Sequence, residues 1–281
     1  MAYISIFRII LKLIFYIKYY KLLNKMITNF ERNYDTTFGV NFAKENGFIP
    51  ICIVSCYVGL CHYGKKLMEY RKPFDLKTPL AYWNLLLSTF SFIGMTRTAP
   101  VLLYNLSSMS IKDNLCLEPK NSFGQGASGL WLQLFVYSKI PELIDTFFII
   151  ARKKPLLFLH WYHHITVLLF CWHSYASEAP AGLFFASMNY AVHSVMYGYY
   201  YLMAVDSKPK WISPFLITSC QIAQMIVGCY LSIYSYILLS TNNECSVTKE
   251  NVISSCIMYS SYLYLFAKFA RDKFISKNKE I

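Results

Sequence analysis

The sequence predicts an all-α polytopic membrane protein that crosses the bilayer with about seven helices. The 281-residue chain is 56% hydrophobic and only 15% charged, which is not the composition of a soluble domain. It contains apolar runs close to the roughly 20 residues that a helix needs to cross a bilayer. These runs are predicted to be helices because a helix pairs its own backbone N–H and C=O groups, for which lipid offers no other hydrogen-bond partner. The predicted spans are 47–63, 79–104, 128–150, 156–173, 181–204, 213–239 and 251–270.

The chain has a net charge of +12, and the placement of its basic residues predicts the orientation of these spans. If the first span runs from lumen to cytosol, fourteen Lys and Arg residues fall in the cytosolic segments and three in the loops between spans on the luminal side. This asymmetry follows the positive-inside rule and places the C-terminus in the cytosol. Topology thus explains the basic charge, and no nucleic acid partner is expected. The cytosolic segments are 64–78, 151–155, 205–212 and 271–281.

The chain divides into three parts at the ends of the spans. Residues 47–270 form the seven-helix membrane domain, and residues 271–281 form a cytosolic tail. Residues 1–46 carry seven basic residues on the side predicted to be luminal. Within them, 4–17 is apolar but interrupted by charges, so an interfacial amphipathic helix is expected, with a cleaved signal peptide as the alternative.

Cysteine positions predict one disulfide. Seven of the nine cysteines lie within apolar spans, where a packed thiol is the default. Cys116 and Cys245 lie in two loops that the topology places on the same luminal side. An oxidising lumen permits a disulfide between them, and two reduced surface thiols are the alternative.

Four spans carry polar groups that a purely structural transmembrane helix would avoid. From the helical rise, Asp145 lies about 8 Å, His163 about 10 Å, Gln221 about 12 Å and His193 about 16 Å from the cytosolic ends. Because these depths are similar, we expect one active site that opens to the cytosol. Its members are Lys139, Glu142, Asp145 and Thr146; His160, His163 and His164; Asn189, His193, Met196, Tyr197 and Tyr200; and Thr218, Gln221 and Gln224.

Structural interpretations of some of these residues stay open. For Lys139 and Glu142 the alternative is an ion pair that neutralises the helix for insertion. For Asn189 and the glutamines it is interhelical hydrogen bonding. The histidine box, His160-Trp-Tyr-His163-His164, points more strongly to function, because the spacing i, i+3, i+4 places three imidazoles on one helix face inside a membrane.

Two chemistries use such a cluster of imidazoles. Neutral imidazoles bind iron or zinc, but membrane di-iron enzymes carry several such boxes, and two of the six histidines here, His62 and His173, lie at span ends. The remaining histidines are too few for a di-iron site, whereas the binding of a single zinc ion stays an open alternative. In the other chemistry an imidazole attacks a thioester and forms an acyl-imidazole, with Asn189 and His193 as orienting groups or oxyanion donors. A metal-dependent lipid-modifying enzyme and a seven-helix transporter are the alternatives.

Five motifs carry a resemblance to a known family. They are Met68–Phe74, Lys139–Thr146, His160–His164, Asn189–Tyr200 and Thr218–Gln224, which are similar to MxxRxPF, KxxExxDT, HxxHH, NxxxHxxMYxYY and TxxQxxQ. In order and spacing, over residues 47–270, they resemble the fatty acid elongases of the ELO family, the membrane 3-oxoacyl-CoA synthases. The Trp within the box and the pair Gln224-Met225 resemble the branch that extends saturated and monounsaturated chains.

The resemblance implies a reaction in which a long-chain acyl-CoA condenses with malonyl-CoA to give CO2, CoA and a 3-oxoacyl-CoA two carbons longer. His163 is the implied nucleophile, positioned by His160 and His164. His193 and Asn189 assist proton transfer or stabilise developing charge, and the apolar interior is the implied acyl-chain tunnel. The implied substrate-binding residues are Lys139, Glu142, Asp145, Tyr197, Tyr200, Gln221, Gln224, Lys208 and Lys210, the last two for the phosphates of CoA.

The resemblance also implies partners and a location. No metal and no cofactor is expected beyond the two CoA substrates. The implied partners are membrane lipid, the reductase and dehydratase of the elongation cycle and, left open, a second copy of the chain in a homodimer. Lys277 and Lys279, five and three residues from the end, resemble a dilysine retrieval signal, which implies a multi-pass protein of the endoplasmic reticulum membrane.

Overall fold

The computed structural model describes residues 27–209, 212–241 and 245–275, and these form helices and short connections with no strand among them. The all-α prediction is thereby confirmed for the described part of the chain. The first helices are α1 (Asn29–Arg32), α2 (Thr37–Glu45), α3 (Phe48–Met68), α4 (Lys77–Ser108) and α5 (Ile111–Cys116). They are followed by α6 (Gly126–Ser138), α7 (Ile144–Ala151), α8 (Phe158–Ala176), α9 (Gly182–Ala204), α10 (Pro214–Thr241) and α11 (Lys249–Ala270).

Four of the described helices are long and apolar enough to cross a membrane, namely α3, α4, α10 and α11 together with its extension to Phe274. They correspond to the first, second, sixth and seventh predicted spans. The helices α8 and α9 overlap the fourth and fifth predicted spans and are not among these four. With four such helices, the chain is a multi-pass membrane protein.

The helices form a closed ring around a central space. Going round the ring, α6 packs on α4, α4 on α9, α9 on α10, α10 on α11, α11 on α8, and α8 on α6. Helix α3 stands outside the ring and packs against α7 and α8. The most extensive contact joins α4 to α9, where Gly94 leaves room for the ring of Tyr190. Because α8 and α9 stand on opposite sides of the ring, polar groups on their inner faces look toward one shared interior.

The third predicted span, 128–150, is two helices rather than one. A 3-10 turn over Pro141–Leu143 separates α6 from α7. Pro141 explains the break, because proline has no N–H for the helical ladder and its ring clashes with the carbonyl four residues earlier. The break lies between Lys139 and Asp145, and Lys139 is buried there with 2% of its surface exposed.

The chain that precedes α3 is anchored to the bundle by a buried ion pair. Arg97 of α4 donates to Glu31 Oε1 at 2.9 Å, and the indole of Trp131 on α6 donates to the same oxygen at 2.8 Å. Burial opposes ionisation of Glu31, but these two bonds and one from the Thr28 amide outweigh it and lower the pKa of Glu31 to about 2. The amphipathic helix predicted over 4–17 lies outside the described residues.

Replacing Glu31 by Gln is expected to lower the stability of the purified protein by about 1–3 kcal/mol, because Arg97 then loses a charged acceptor in a buried site. Since the folded pKa lies below the ordinary 4.5, the stabilisation by this carboxylate is full above 4.5 and is lost as the pH falls toward 2. Thermal unfolding in detergent at neutral pH measures the effect. Glu45→Gln, at the exposed end of α2, is the control, and equal melting temperatures for the two variants would contradict the prediction.

A disulfide joins Cys116, at the end of α5, to Cys245, which precedes α11. This is the pair that the predicted topology places on one side of the membrane. We call the end of the bundle that carries this bond the disulfide end. The opposite end, which carries Lys65, Arg152 and Lys273, is called the basic end.

Removing this bond with Cys245→Ser is expected to lower stability by about 2–5 kcal/mol, because the unfolded chain regains the entropy of a long closed loop. The two cysteines are separated by 129 positions, so the variant should also lose the mobility difference between reducing and non-reducing gels. Cys220→Ser, an exposed free thiol on α10, serves as the control. A mobility difference that persists in Cys245→Ser would show that another pairing causes it.

Candidate active site

A cavity of about 900 Å³ extends from the basic end into the ring of helices. We call it the catalytic cavity. Helices α8 and α9 form its opposite walls, and α4, α7, α10 and α11 complete it. Polar groups from all four of the predicted spans that carry them, the third to the sixth, therefore line this cavity. The predicted site residues that line it are Glu142, Asp145, His160, His163, His164, Asn189, His193, Met196, Tyr197, Tyr200, Thr218, Gln221 and Gln224.

The three imidazoles of the histidine box lie on the inner side of α8. The rings of His160 and His164, one turn apart, have centroids separated by 4.5 Å. His160 Nε2 shares a hydrogen bond of 3.0 Å with the hydroxyl of Thr146 on α7. The ring of His163 lies 5.0 Å from that of Tyr262 on α11, whose hydroxyl donates to the His163 backbone carbonyl at 3.2 Å. Contacts from α7 and α11 thus orient the box on both sides.

Across the cavity, Asn189 and His193 form a hydrogen-bonded pair on α9, with the amide nitrogen 3.1 Å from His193 Nε2. Lys139 donates to Asn189 Oδ1 at 3.2 Å and to Glu142 Oε1 at 2.7 Å. Because an ammonium group has donors only, the carbonyl of Asn189 faces Lys139, and the amide N–H of Asn189 therefore points at His193. His193 Nε2 is then an acceptor, and the neutral ring carries its proton on Nδ1.

Asp145, near the start of α7, is held by donors from two other helices. The indole of Trp83 on α4 donates to Oδ1 at 2.6 Å, and the hydroxyl of Tyr197 on α9 donates to Oδ2 at 2.7 Å. The ring of Tyr197 also lies 5.3 Å from that of His193. Asp145 therefore links α7 to α4 and α9, and it fixes the tyrosine that stands beside His193.

Two buried polar atoms at the cavity make no hydrogen bond to the described part of the chain. They are Glu142 Oε2 and His164 Nδ1. Buried polar atoms are nearly always paired in folded proteins, and the exceptions mark places where water, a ligand or chemistry is involved. Both residues line the catalytic cavity, while the two unpaired atoms themselves are enclosed by protein.

The polar residues of α10 line the cavity between α9 and α11. Gln221 donates to the sulfur of Met196 at 3.3 Å, which joins α10 to α9. Thr218 and Gln224 are buried. Tyr200 also lines the cavity, nearer its mouth at the basic end. These side chains give the cavity a hydrogen-bonding wall next to the pair formed by Asn189 and His193.

Basic side chains surround the mouth of the catalytic cavity, and the four that line it are not the ones named from the sequence. Lys208 is not among the lining residues; its ammonium lies 5.6 Å over the ring of Tyr199, which does line the cavity. Lys210 lies outside the described residues. Asp206, which also lines the mouth, forms an ion pair with Lys77. The basic residues that line the mouth are Lys77, Arg152, Lys154 and Lys273.

Sequence reasoning missed three residues that help to build the site. Trp83 binds Asp145, Asn84 is buried in the cavity wall, and Tyr262 supports His163. Asn84 could have been predicted from the sequence, because an amide within an apolar span usually finds a hydrogen-bond partner. Trp83 and Tyr262 could not have been predicted in this way, since Trp and Tyr are common in membrane helices.

Among the residues that the structure describes, no three His, Cys, Asp or Glu side chains are grouped so that they could hold a metal ion. The imidazoles of the box are instead in contact with one another, with Thr146 and with Tyr262. Chemically, the arrangement offers an imidazole nucleophile on one wall and an oriented amide and imidazole on the other.

Comparison with known proteins agrees with the motifs. Residues 42–281 match the model of the ELO family, described as the GNS1/SUR4 family. The chain is 45% identical over 208 residues to very long chain fatty acid elongase 6 of Drosophila melanogaster, an alignment that covers 73% of this chain and 66% of the relative. It is 40% identical over 251 residues to the protein of the same name from Gallus gallus, covering 88% and 92%. It is 37% identical over 262 residues to fatty acid elongase 3 of Trypanosoma cruzi (strain CL Brener), covering 84% and 87%.

The family match spans every helix from α3 to α11, and so includes both walls of the catalytic cavity. The relatives align over most of the chain rather than over a single motif. This chain belongs to the ELO family, the GNS1/SUR4 family of membrane proteins.

Proposed function

We propose that this chain is the condensing enzyme of fatty acid elongation, which joins a long-chain acyl-CoA to malonyl-CoA through an acyl-imidazole on His163. The products are CO2, CoA and a 3-oxoacyl-CoA two carbons longer. Family membership and relatives named fatty acid elongases support the reaction. The observation that carries the mechanism is that one cavity is lined by the histidine box on α8 and by Asn189 and His193 on the facing helix.

In the first half-reaction, an imidazole nitrogen of His163 attacks the thioester carbonyl of the acyl-CoA. The carbon–sulfur bond breaks, CoA leaves as a thiolate that takes up a proton, and the acyl group stays on His163. His160 is less suited to this role because Thr146 engages its Nε2 at 3.0 Å. His164, whose ring lies 5.7 Å from that of His163, is proposed to position His163.

In the second half-reaction, malonyl-CoA loses CO2, and its α-carbon attacks the acyl-imidazole carbonyl as an enolate. The new carbon–carbon bond forms while the carbon–nitrogen bond to His163 breaks. Negative charge develops on the thioester oxygen of the enolate, and donors fixed before the reaction stabilise it most effectively. The second N–H of the Asn189 amide and the Nδ1–H of His193 are the proposed donors, oriented by the contact from Lys139.

The cavity mouth is proposed to bind CoA through its phosphates, because charge-assisted hydrogen bonds from Lys and Arg suit them. The four basic lining residues fill this role, and Lys208 and Lys210 from the sequence prediction stay proposed beside them. No metal and no cofactor beyond the CoA substrates is proposed. The proposed substrate-binding residues on the cavity wall are Glu142, Asp145, Tyr197, Tyr200, Gln221 and Gln224. Lys139 does not line the cavity and is proposed to act through Glu142 and Asn189, to which it donates.

We place the basic end in the cytosol and the protein in the endoplasmic reticulum membrane. The disulfide at the opposite end supports this orientation, because an oxidising lumen favours such bonds. The dilysine signal at Lys277 and Lys279 lies outside the described residues and stays a proposal, as does a homodimer. Because the product carries a 3-oxo group, the proposed partners are the reductase and dehydratase that act on it next.

The test uses membranes that contain the expressed chain, with labelled malonyl-CoA and a series of saturated and monounsaturated acyl-CoAs of graded length. We expect label in products two carbons longer than the acyl-CoA supplied, as 3-oxoacyl-CoA when the reductant for the next step is left out. Membranes from the same host without the chain provide the background. Absence of elongation for every substrate, with the protein detected on an immunoblot, would refute the proposal.

A further inference from the structure

Helix α3 stands outside the ring, and most of its residues are exposed. Four are buried, and Tyr57 is the only one of these whose side chain can donate a hydrogen bond; the others are Pro50, Gly64 and Met68. A buried tyrosine hydroxyl usually has a hydrogen-bond partner. The position of Tyr57 therefore indicates that α3 brings one polar group to the inside of the bundle.

The partner of Tyr57 is Thr146 of α7, and the contact continues to the histidine box. The two hydroxyl oxygens are 2.7 Å apart, and the Thr146 hydroxyl lies 3.0 Å from Nε2 of His160 on α8. One chain of hydrogen bonds thus joins α3, α7 and α8 and ends on an imidazole that lines the catalytic cavity. The condensation chemistry described above assigns no role to Tyr57.

The protons along this chain have one favoured direction. A threonine hydroxyl has a single proton, so Thr146 donates to one of its two neighbours and accepts from the other. The phenol of Tyr57 is a stronger acid than an aliphatic hydroxyl and is therefore the better donor of the two. Tyr57 then donates to Thr146, and Thr146 donates to Nε2 of His160. A neutral His160 that accepts at Nε2 carries its proton on Nδ1.

Contacts on two sides also fix the ring of His160. Thr146 engages Nε2, and the ring of His164 packs on that of His160 with centroids 4.5 Å apart. The ring of His164 lies 6.3 Å from that of Tyr57, so the same three side chains enclose it from the side of α3. Because Nε2 is occupied, Nδ1 is the nitrogen of His160 that is left for a substrate in the cavity.

We propose that Tyr57 and Thr146 are positioning residues for the first half-reaction. They hold His160 with its proton on Nδ1, and this N–H donates to the thioester oxygen of the acyl-CoA while His163 attacks the carbonyl carbon. The inference rests on the proposed function, since it needs His163 to be the nucleophile. His160 and His163 lie about one turn apart on α8 and both line the catalytic cavity.

The proposed donor acts without giving up its proton. As the nitrogen of His163 bonds to the carbonyl carbon, negative charge develops on the carbonyl oxygen, and a donor fixed beforehand stabilises it. The charge returns to the carbonyl when the carbon–sulfur bond breaks, and the N–H stays on His160. Asn189 and His193 are the proposed donors for the enolate of the second half-reaction. The two half-reactions therefore use donors on opposite walls of the cavity.

Three variants separate the hydroxyl chain from the shape of the side chains. Thr146→Val keeps the branched shape but removes the donor to His160, and we expect acylation to slow roughly tenfold to a hundredfold. Thr146→Ser keeps the hydroxyl and should acylate at close to the unaltered rate. Tyr57→Phe leaves Thr146 free to turn its proton away from His160, and the loss of this one neutral bond should slow acylation roughly threefold to tenfold.

The experiment measures the two half-reactions separately in the purified protein. With labelled acyl-CoA and no malonyl-CoA, rapid quenching gives the rate at which label that hydroxylamine releases appears on the chain. Malonyl-CoA is then added to the acylated chain, and the rate at which the label leaves as 3-oxoacyl-CoA gives the second half-reaction. Thr146→Val should slow the first rate and leave the second unchanged. A residue that only supports the fold would slow both rates or neither.

Two controls remove a hydroxyl of matched burial elsewhere in the ring. Thr98 and Thr146 are both 0% exposed, and Thr98 donates to the Gly94 carbonyl at 2.9 Å. Tyr190 is 2% and Tyr57 3% exposed, and Tyr190 donates to the Trp131 carbonyl at 2.8 Å. Neither Thr98 nor Tyr190 lines the catalytic cavity. Thr98→Val and Tyr190→Phe should therefore leave the rate of acylation unchanged.

Acylation of Thr146→Val at the unaltered rate overturns the inference, and so does a Thr146→Ser variant as slow as Thr146→Val. Equal slowing of both half-reactions, or controls that slow acylation as much as the test variants, also overturns it. If Thr146→Val does not accumulate, Tyr57→Phe carries the same expected direction and decides. An unaltered chain that neither retains acyl label nor elongates refutes the proposed function instead, so the two failures are distinguishable.

Discussion

Replacing His163 by Ala is expected to abolish elongation, with the transfer of malonyl-CoA carbon into product reduced by more than about 10³-fold. The physical reason is that the acyl group loses the nitrogen that would carry it between the two half-reactions. The fold should persist, because the backbone carbonyl of His163 still accepts from Tyr262 at 3.2 Å. The measurement is the initial rate of label incorporation at matched amounts of protein.

A second readout separates the nucleophile from a residue that merely shapes the cavity. With labelled acyl-CoA and no malonyl-CoA, the unaltered chain should retain label that hydroxylamine releases, and His163→Ala should retain none. His173→Ala is the matched control, since His173 lies on the same helix but is exposed at the disulfide end. Retained label in His163→Ala, or elongation near the unaltered rate, would contradict the assignment.

Replacing Lys139 by Met is expected to lower stability by about 3–5 kcal/mol, because Glu142 would then be left buried with an uncompensated charge. The side chains of this pair are 2% and 5% exposed, and the ammonium lies 2.7 Å from the carboxylate. Activity should fall as well, since Asn189 loses the donor that orients its amide toward His193. Thermal unfolding in detergent gives the stability, and the condensation assay gives the activity.

Two comparisons test the role of charge in this prediction. Lys44→Met removes one partner of the pair with Glu178, whose side chains are 47% and 39% exposed, and should cost less than about 1 kcal/mol. The double variant Lys139→Met with Glu142→Gln should recover much of the stability lost in the single variant, but not the activity. A double variant as unstable as Lys139→Met alone would show that lost packing, rather than buried charge, causes the effect.

Several features of the site are local along the chain, and these were predictable. The spacing of the histidine box places three imidazoles on one face of α8 because helical periodicity is constant. Constant rise likewise allowed the depths of Asp145, His163, Gln221 and His193 to be estimated before their helices were packed together. In the structure these four side chains line one cavity.

Other features depended on contacts that the sequence pattern does not encode. The break at Pro141 was missed because long apolar stretches lie on both sides of it, although the proline itself was visible. Lys208 was predicted at the CoA site from its position in a basic loop, and its contact with the ring of Tyr199, a residue that lines the cavity, could not be read from that position. The ion pair of Glu31 with Arg97 joins residues 66 positions apart, and no periodicity connects them.

The sequence by itself determined that this chain is a helical membrane protein, which residue types meet at one depth, and which family its motifs resemble. Only the tertiary structure decided which way these polar groups face, as with the amide of Asn189, which lies between Lys139 and His193. The reason is physical. Hydropathy and rise are properties of a single helix, whereas the rotation of a helix and the partners of its side chains are set by the helices packed around it.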